Sequence, residues 1–281
     1  MIIKTGIIPR LAFEIFGIPI YWYAVLIVSS MIMAIIWCKM HNGRFGIKFD
    51  DLIDLAIIML PIAIIGARLY YVLFKLDYYI SEPLEILQIK NGGLAIYGGI
   101  IGGLLVIAIY SKVKKIKTLD ITDFIAPVIA LCQSIGRWGN YINIEAYGYE
   151  TNFPIKMEII ENGITKYVHP TFLYESICTL AIFIILSILS KKRKFSGEIT
   201  YLYIILYAFI RFFIEGLRTD SLMLFNCRIS QILSLVLFIV FSCILIYKKN
   251  KYKDMSKDVE KARWKVAWNR EKYSFFVDLD D

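Results

Sequence analysis

The chain has 281 residues and a net charge of +8, a length that allows one large domain or two ordinary ones. Its composition excludes the soluble class: 58% of residues are hydrophobic and mean hydropathy is +0.61, and only 20% are charged, against roughly 25% in an average soluble domain. With 15% aromatic residues it is also too apolar to stay disordered, so the bilayer is the expected solvent.

A bilayer core about 30 Å thick takes about 20 mostly apolar residues per helix. Residues 1–20 precede the first such run. Within them Leu11 to Ile20 is apolar but broken by Glu14, Gly17 and Pro19, which suits a short segment lying in the outer interface. Seven spans are then predicted, at 21–38, 52–74, 92–110, 121–141, 172–189, 199–215 and 229–247. The expected fold is all-α and polytopic, with a transmembrane domain at 21–247, a small extracytoplasmic loop domain at 146–168 and a tail at 248–281. No cleavable signal peptide is expected, because the first apolar run is long and no small-residue cleavage site follows it.

The five cysteines, Cys38, Cys132, Cys178, Cys227 and Cys243, contain no C-x-x-C pair and read as small buried hydrophobes. His41 and His169 are too few and too far apart to seed a metal centre.

Lysine and arginine accumulate on the cytoplasmic side of membrane proteins. The loops after spans one, three and five together with the tail hold 21 of them, the remaining loops and the N-terminus hold 8, and three arginines within spans complete the total of 32. The N-terminus is therefore expected outside and the C-terminus in the cytoplasm. With that orientation the polar residues of the spans gather at the outer face: Tyr23 at the start of span one, Arg68 near the end of span two, Tyr97 in span three, Arg137 to Glu145 at the end of span four, Glu175 in span five, and Arg211 to Arg218 at the end of span six.

Charge at membrane depth is costly and marks function by default. An arginine keeps its charge when buried, and its planar fork matches a phosphate. Arg68, Arg137 and Arg211 around one cavity therefore point to a lipid phosphate. The competing explanation is a carboxylate partner for each, with Glu215 one turn from Arg211 and Glu145 and Glu175 nearby. The stretch Gly136-Arg137-Trp138-Gly139-Asn140-Tyr141-Ile142-Asn143-Ile144-Glu145 is the densest polar run in any span, and Arg137 and Asn140 share a helix face. Span three carries Gly98-Gly99 and Gly102-Gly103, a small-residue pattern that suits tight helix packing. Tyr97 just before them is either a ligand contact or an aromatic-belt anchor.

Together with Asp123-Phe124-Ile125-Ala126-Pro127, His169-Pro170-Thr171-Phe172-Leu173-Tyr174-Glu175 and Arg211-Phe212-x-x-Glu215-x-x-Arg218-x-Asp220, this stretch closely resembles bacterial prolipoprotein diacylglyceryl transferases, in order from Trp22-Tyr23 to about Gln231. The resemblance implies a membrane enzyme that moves the diacylglyceryl group of phosphatidylglycerol onto the lipobox cysteine of a prolipoprotein. It implies no cofactor, metal or nucleic-acid partner. By the same resemblance Arg137 and Arg211 bind the lipid head group and act in catalysis, and Asn140 and Glu145 hold the glycerol and orient Arg137. Glu215 fixes Arg211, and Tyr23, Asn143, Gly148 and Glu175 complete the substrate-binding wall, with Arg68 and Arg218 as further contacts. Counter-ion duty alone is the alternative for Glu145, Glu175 and Glu215.

One position departs from the pattern. Many family members carry His where this chain has Tyr97, and that His has been proposed as the base for the thiol. A phenol with pKa near 10 and a thiol near 8.5 exchange a proton poorly at neutral pH. Either Tyr97 is perturbed, or the thiol ionises in the arginine field, or His169 serves, although His-Pro at a helix start also suits a structural cap.

Residues 146–168 alternate Ile155, Met157 and Ile159 before an Asn162-Gly163 turn, which predicts a hairpin. Beyond Tyr247 the chain is basic and then ends in Asp278, Asp280 and Asp281. Trp264 and Trp268 lie one turn apart, so an interfacial helix and a solvated tail both remain open. A transporter of an anionic solute is the alternative function, disfavoured by the absence of an internal repeat, and a non-catalytic lipid-binding scaffold is a third.

Overall fold

The computed structural model describes residues 1–88, 92–221, 223–224 and 227–277, with backbone alone at 224, 257 and 259–277. The chain opens with a short strand β1 (Ile2–Lys4) and a hairpin of β2 (Leu11–Ile15) and β3 (Ile18–Tyr21). It continues through α1 (Trp22–Met40), α2 (Phe49–Phe74), the short α3 (Leu76–Ser81), α4 (Ile96–Lys114) and α5 (Thr118–Asn143). A second hairpin, β4 (Lys156–Glu161) and β5 (Ile164–Val168), precedes α6 (Thr171–Leu189) and α7 (Glu198–Leu217). The two-residue strands β6 (Met223–Leu224) and β7 (Cys227–Arg228) lead into α8 (Ile229–Val277).

All helices except α3 are long and apolar enough to cross a membrane, seven in number among the described residues. Their large side chains face outward in quantity, Ile57, Ile65, Leu104, Leu105, Ile177 and Ile184 among them. In water that surface would be a liability, whereas in hydrocarbon it is the solvent-matched face. Half of the most apolar stretch of α5 is buried, against 6% for α8, so α5 is the central helix and α8 a peripheral one. Around α5 stand α1, α6 and α7.

Close approach explains the glycines of the third span. A Cβ on Gly66 would stand 2.6 Å from the Gly98 carbonyl oxygen, and one on Gly102 would stand 3.0 Å from that of Ile62, so only glycine lets α2 and α4 meet backbone to backbone. Serines do the same for α5 and α6. Ser134 donates to the Ser176 carbonyl at 2.8 Å and Ser176 donates back to the Ser134 carbonyl at 2.9 Å. At the opposite end of the bundle, buried Asp123 accepts the N–H groups of Gly197 at 2.7 Å and Thr200 at 2.8 Å, capping the start of α7 from α5. Arg193 completes that contact at 2.9 Å from Asp123.

Three boundaries differ from the sequence expectation. The segment Leu11–Ile20 is a β-hairpin, because Phe16 and Gly17 both take positive φ (51° and 77°) and so form the tight turn that suits two-residue hairpins, with alternating side chains on either strand. The third helix begins at Ile96 and not at 92, since Gly92 and Gly93 have φ of 85° and 73°, outside the helical region. The last helix runs on past Tyr247 to Val277 without a break. The side chains of Trp264 and Trp268, and all of Asp278, Asp280 and Asp281, lie outside the described residues.

The Asn162-Gly163 turn closes the β4–β5 hairpin as the alternation predicts. β1 adds to it in parallel, Ile3 opposite Met157. Met157, Ile159 and Val168 face inward from this sheet onto Phe172, Tyr141 and Ile144, so the small sheet sits on the ends of α5 and α6 that carry the polar residues.

Candidate active site

Arg137 lies six residues before the end of α5 and Arg211 six before the end of α7, a depth of about 9 Å at 1.5 Å per residue. Glu175 enters from α6, four residues past its start. One carboxylate holds both arginines: Arg137 Nη2 donates to Glu175 Oε1 at 2.6 Å and Arg211 Nη1 donates to Oε2 at 3.1 Å. Tyr207, one turn before Arg211, donates its hydroxyl to the same Oε1 at 3.1 Å. Glu215, one turn after Arg211, forms an ion pair with its Nη2 at 2.5 Å. Glu175 and Glu215 are both 2% exposed, so the charges are compensated where water is scarce.

A second line of bonds orients Arg137 from the other side. Its Nη1 donates to Asn140 Oδ1 at 3.2 Å, Asn140 Nδ2 donates to Glu145 Oε1 at 2.8 Å, and Asn143 Nδ2 reaches the same oxygen at 3.4 Å. A guanidinium has five N–H donors. Arg137 gives two of its five to Glu175 and Asn140, Arg211 turns one nitrogen to Glu175 and another to Glu215, and the two side chains remain 22% and 17% exposed. Unused donors on two fixed guanidinium groups are what a phosphate requires.

Open space adjoins the Asn143 and Glu145 end of this network. A cavity of about 630 Å³ is bounded by Arg10, Tyr21, Tyr23, Asn143 and Glu145, with Ala24 and Ile144. Tyr23 reaches it by packing its ring on Gly139, where a Cβ would come within 2.6 Å of Tyr23 Cε2. Gly136, by contrast, has nothing within 4 Å of a Cβ position, so the other flank of Arg137 is open.

The remaining predicted site residues make other contacts. Arg68 is 6% exposed and donates to five backbone carbonyls, those of Glu85, Ile86, Gln88, Gly92 and Gly93, so that its guanidinium ties the segment before α4 to α2. Gly148 is packed: a Cβ there would stand 2.9 Å from the Leu217 carbonyl oxygen. Arg218 makes a two-bond pair with Asp220, Nε to Oδ1 at 2.9 Å and Nη2 to Oδ2 at 2.6 Å, which holds the Asp220 carboxyl below the usual carboxylate range. Tyr97 is 39% exposed, its ring 6.4 Å from that of Tyr70 on α2, and among the described residues its hydroxyl has no hydrogen-bond partner. His169 Nδ1 lies 3.3 Å from the Tyr174 hydroxyl, and burial pushes its imidazole below the ordinary histidine value.

Tyr207, Arg228 and Arg10 are not singled out by sequence pattern. Tyr207 was within reach, being one turn from Arg211 on the same helical face. Arg228, which donates to the Glu215 carbonyl at 2.7 Å, and Arg10, which donates to the Asn143 carbonyl at 2.8 Å, approach from distant segments that no local spacing announces.

Residues 10–247 match the family model described as prolipoprotein diacylglyceryl transferase. Among curated proteins, the phosphatidylglycerol–prolipoprotein diacylglyceryl transferase of Clostridium novyi (strain NT) is 47% identical over 248 residues, covering 85% of this chain and 95% of that protein. The protein of the same name from Clostridioides difficile (strain 630) is 46% identical over 244 residues, 86% of this chain and 97% of that one. That from Enterococcus faecalis (strain ATCC 700802 / V583) is 45% identical over 268 residues, 92% and 96%. With most of its length matched at this identity, and with seven apolar helices, the chain belongs to the prolipoprotein diacylglyceryl transferase family and is a bacterial multi-pass membrane protein.

Proposed function

We propose that the protein transfers the diacylglyceryl group of phosphatidylglycerol to the lipobox cysteine of a prolipoprotein, with Arg137 and Arg211 as the groups that act on the lipid phosphate. The observation that carries this assignment is one buried carboxylate, Glu175, shared by two partly exposed guanidinium groups, with Asn140 linking Arg137 to the Glu145 wall of an open cavity. In the reaction the cysteine sulfur bonds to the glyceryl carbon as that carbon's bond to the phosphate oxygen breaks. The electron pair goes to the phosphate, glycerol phosphate departs as an anion, and the thiol proton is given up to water. Charge grows on the phosphate as the bond breaks. Guanidinium donors already fixed by Glu175 and Asn140 stabilise that state more than the ground state, with little reorganisation.

In this reading Tyr23, Asn140, Asn143 and Glu145 bind the glycerol portion at the cavity wall, and Glu215 acts by holding Arg211. Arg68, Gly148 and Arg218 support the frame: their contacts are with backbone or with Asp220. The lysine and arginine asymmetry supports an N-terminus and a β4–β5 hairpin outside the cell and a C-terminal segment from 248 in the cytoplasm. Export-dependent reporters are then active within 146–168 and silent after Tyr247, and the opposite pattern refutes the orientation. The family membership favours transfer over transport of an anionic solute. The assay is release of glycerol phosphate from phosphatidylglycerol vesicles in the presence of a lipobox peptide. Release without peptide lipidation would refute the transferase assignment.

A further inference from the structure

The charged network beside the cavity has no cation to spare for a ligand without a residue that the quoted motifs leave out. Its guanidinium groups, Arg137, Arg211, Arg218 and Arg228, are matched in number by the carboxylates of Glu145, Glu175, Glu215 and Asp220. A phosphatidylglycerol phosphate adds a negative charge, and a phosphate monoester such as the leaving glycerol phosphate carries about −1.5 to −2 at neutral pH. Guanidinium groups already matched by carboxylates leave that charge uncompensated. Arg10 supplies the further cation. It stands on the cavity wall with Tyr23, Asn143 and Glu145, at the base of the β2–β3 hairpin, where its carbonyl accepts the Trp22 N–H at 3.0 Å. Its Nη2 is bound to the carbonyl of Asn143, the last residue of α5, at 2.8 Å. Among the described residues no carboxylate lies within ion-pair distance of it, and the Asn143 carbonyl is its one side-chain hydrogen-bond partner.

We propose that Arg10 is the third guanidinium of the lipid-phosphate site: held by the Asn143 carbonyl at the mouth of the cavity, it contacts the anionic head group on the side away from Arg137 and Arg211. The proposal rests on the transferase reading above. It assigns a binding role to the N-terminal hairpin, which otherwise would serve only as cover for the outer end of α1.

The test separates charge from scaffolding. Arg10→Gln keeps an N–H for the Asn143 carbonyl and removes the charge, whereas Arg10→Lys keeps the charge. Binding of glycerol phosphate to the purified full-length protein is measured by titration, and KM is measured on phosphatidylglycerol vesicles with a lipobox peptide. Arg10→Gln should weaken glycerol phosphate binding and raise KM about fivefold, the size of a partly exposed ion contact, while kcat changes less. Arg10→Lys should stay within about twofold of wild type, a contact to an exposed phosphate needing charge more than a fork. The gap between wild type and Arg10→Gln should shrink at about 1 M salt, where the screening length falls to about 3 Å. Wild-type behaviour of Arg10→Gln, equal losses in both variants, or a gap insensitive to salt would each overturn the proposal. A wild-type protein that binds glycerol phosphate but lipidates no peptide would refute the transferase reading alone.

Discussion

Arg68 and Arg137 are both arginines within predicted spans, close to the same end of the bundle, and the molecule uses them in opposite ways. Among the described residues Arg68 meets no carboxylate. Its five donors are satisfied by five backbone carbonyls of one connecting segment, so nothing remains for a ligand. Arg137 is fixed by two side chains, Glu175 and Asn140, and keeps donors and exposure. An intramembrane arginine is costly in both settings. What separates a clamp from a site is whether the partners exhaust the fork.

The sharpest way to break this contrast is at Arg137. Arg137→Ala should lower kcat/KM about 1,000-fold and Arg137→Lys about 100-fold, losses typical of removing a donor aimed at developing charge. Full turnover by the lysine variant would show that charge alone suffices there and that the fork is not the working feature.

Glu175 is next. Glu175→Gln leaves two guanidinium groups without the carboxylate that spaces them, so turnover should fall about 100-fold. Breaking a buried pair also costs about 3 kcal/mol, visible as a lower melting temperature. The informative outcome is the pairing of the two effects. A variant that is destabilised yet turns over normally would reduce Glu175 to a counter-ion and move the positioning role to Asn140.

Arg68 sharpens the comparison from the other side. Arg68→Ala should destabilise by about 2 kcal/mol and open the 76–93 segment to protease, because several carbonyls lose a charged donor. The kcat of the folded fraction should stay within about threefold. Arg68→Lys should not restore stability, since three donors on a flexible stem cannot span five carbonyls. A variant that keeps its melting temperature but loses turnover would put Arg68 back in the substrate site.

How much of this was legible in the sequence follows from what each feature depends on. The seven spans were readable because hydrocarbon imposes length and apolarity on each helix separately, and the β4–β5 hairpin because Asn162-Gly163 and the Ile155, Met157, Ile159 alternation are local signals. The Tyr207-Arg211-Glu215 ladder is likewise local to α7. What was not legible is tertiary. That Glu175 is shared between α5 and α7, that Arg68 turns to carbonyls 17 to 25 residues on, and that Arg10 reaches Asn143 across 133 residues depend on where helices and hairpins land, which periodicity does not encode. The β2–β3 hairpin was hidden by its composition, an apolar run in which the Phe16-Gly17 turn carries an aromatic at positive φ.

The smallest effect is expected at Tyr97, where the family's usual imidazole is absent. A general base contributes about 100- to 10,000-fold, and a phenol serves as one only if a neighbouring group draws off or stabilises the proton. Tyr97 has no such neighbour among the described residues: its ring is near Tyr70, its hydroxyl makes no protein bond, and the Arg137 network is built from α5, α6 and α7 without α4. His169 lies against Tyr174 and Phe153 and makes no hydrogen bond to the Arg137 network among the described residues. Removing the hydroxyl is therefore expected to act on lipid binding and not on proton transfer. Tyr97→Phe should leave kcat within about fivefold and act mainly on KM, and Tyr97→His should give no gain at neutral pH. If Tyr97→Phe instead lowered kcat about 1,000-fold with KM unchanged, the phenol would be the acid–base group, and thiol activation would have to pass through α4 and not rest on the arginine field alone.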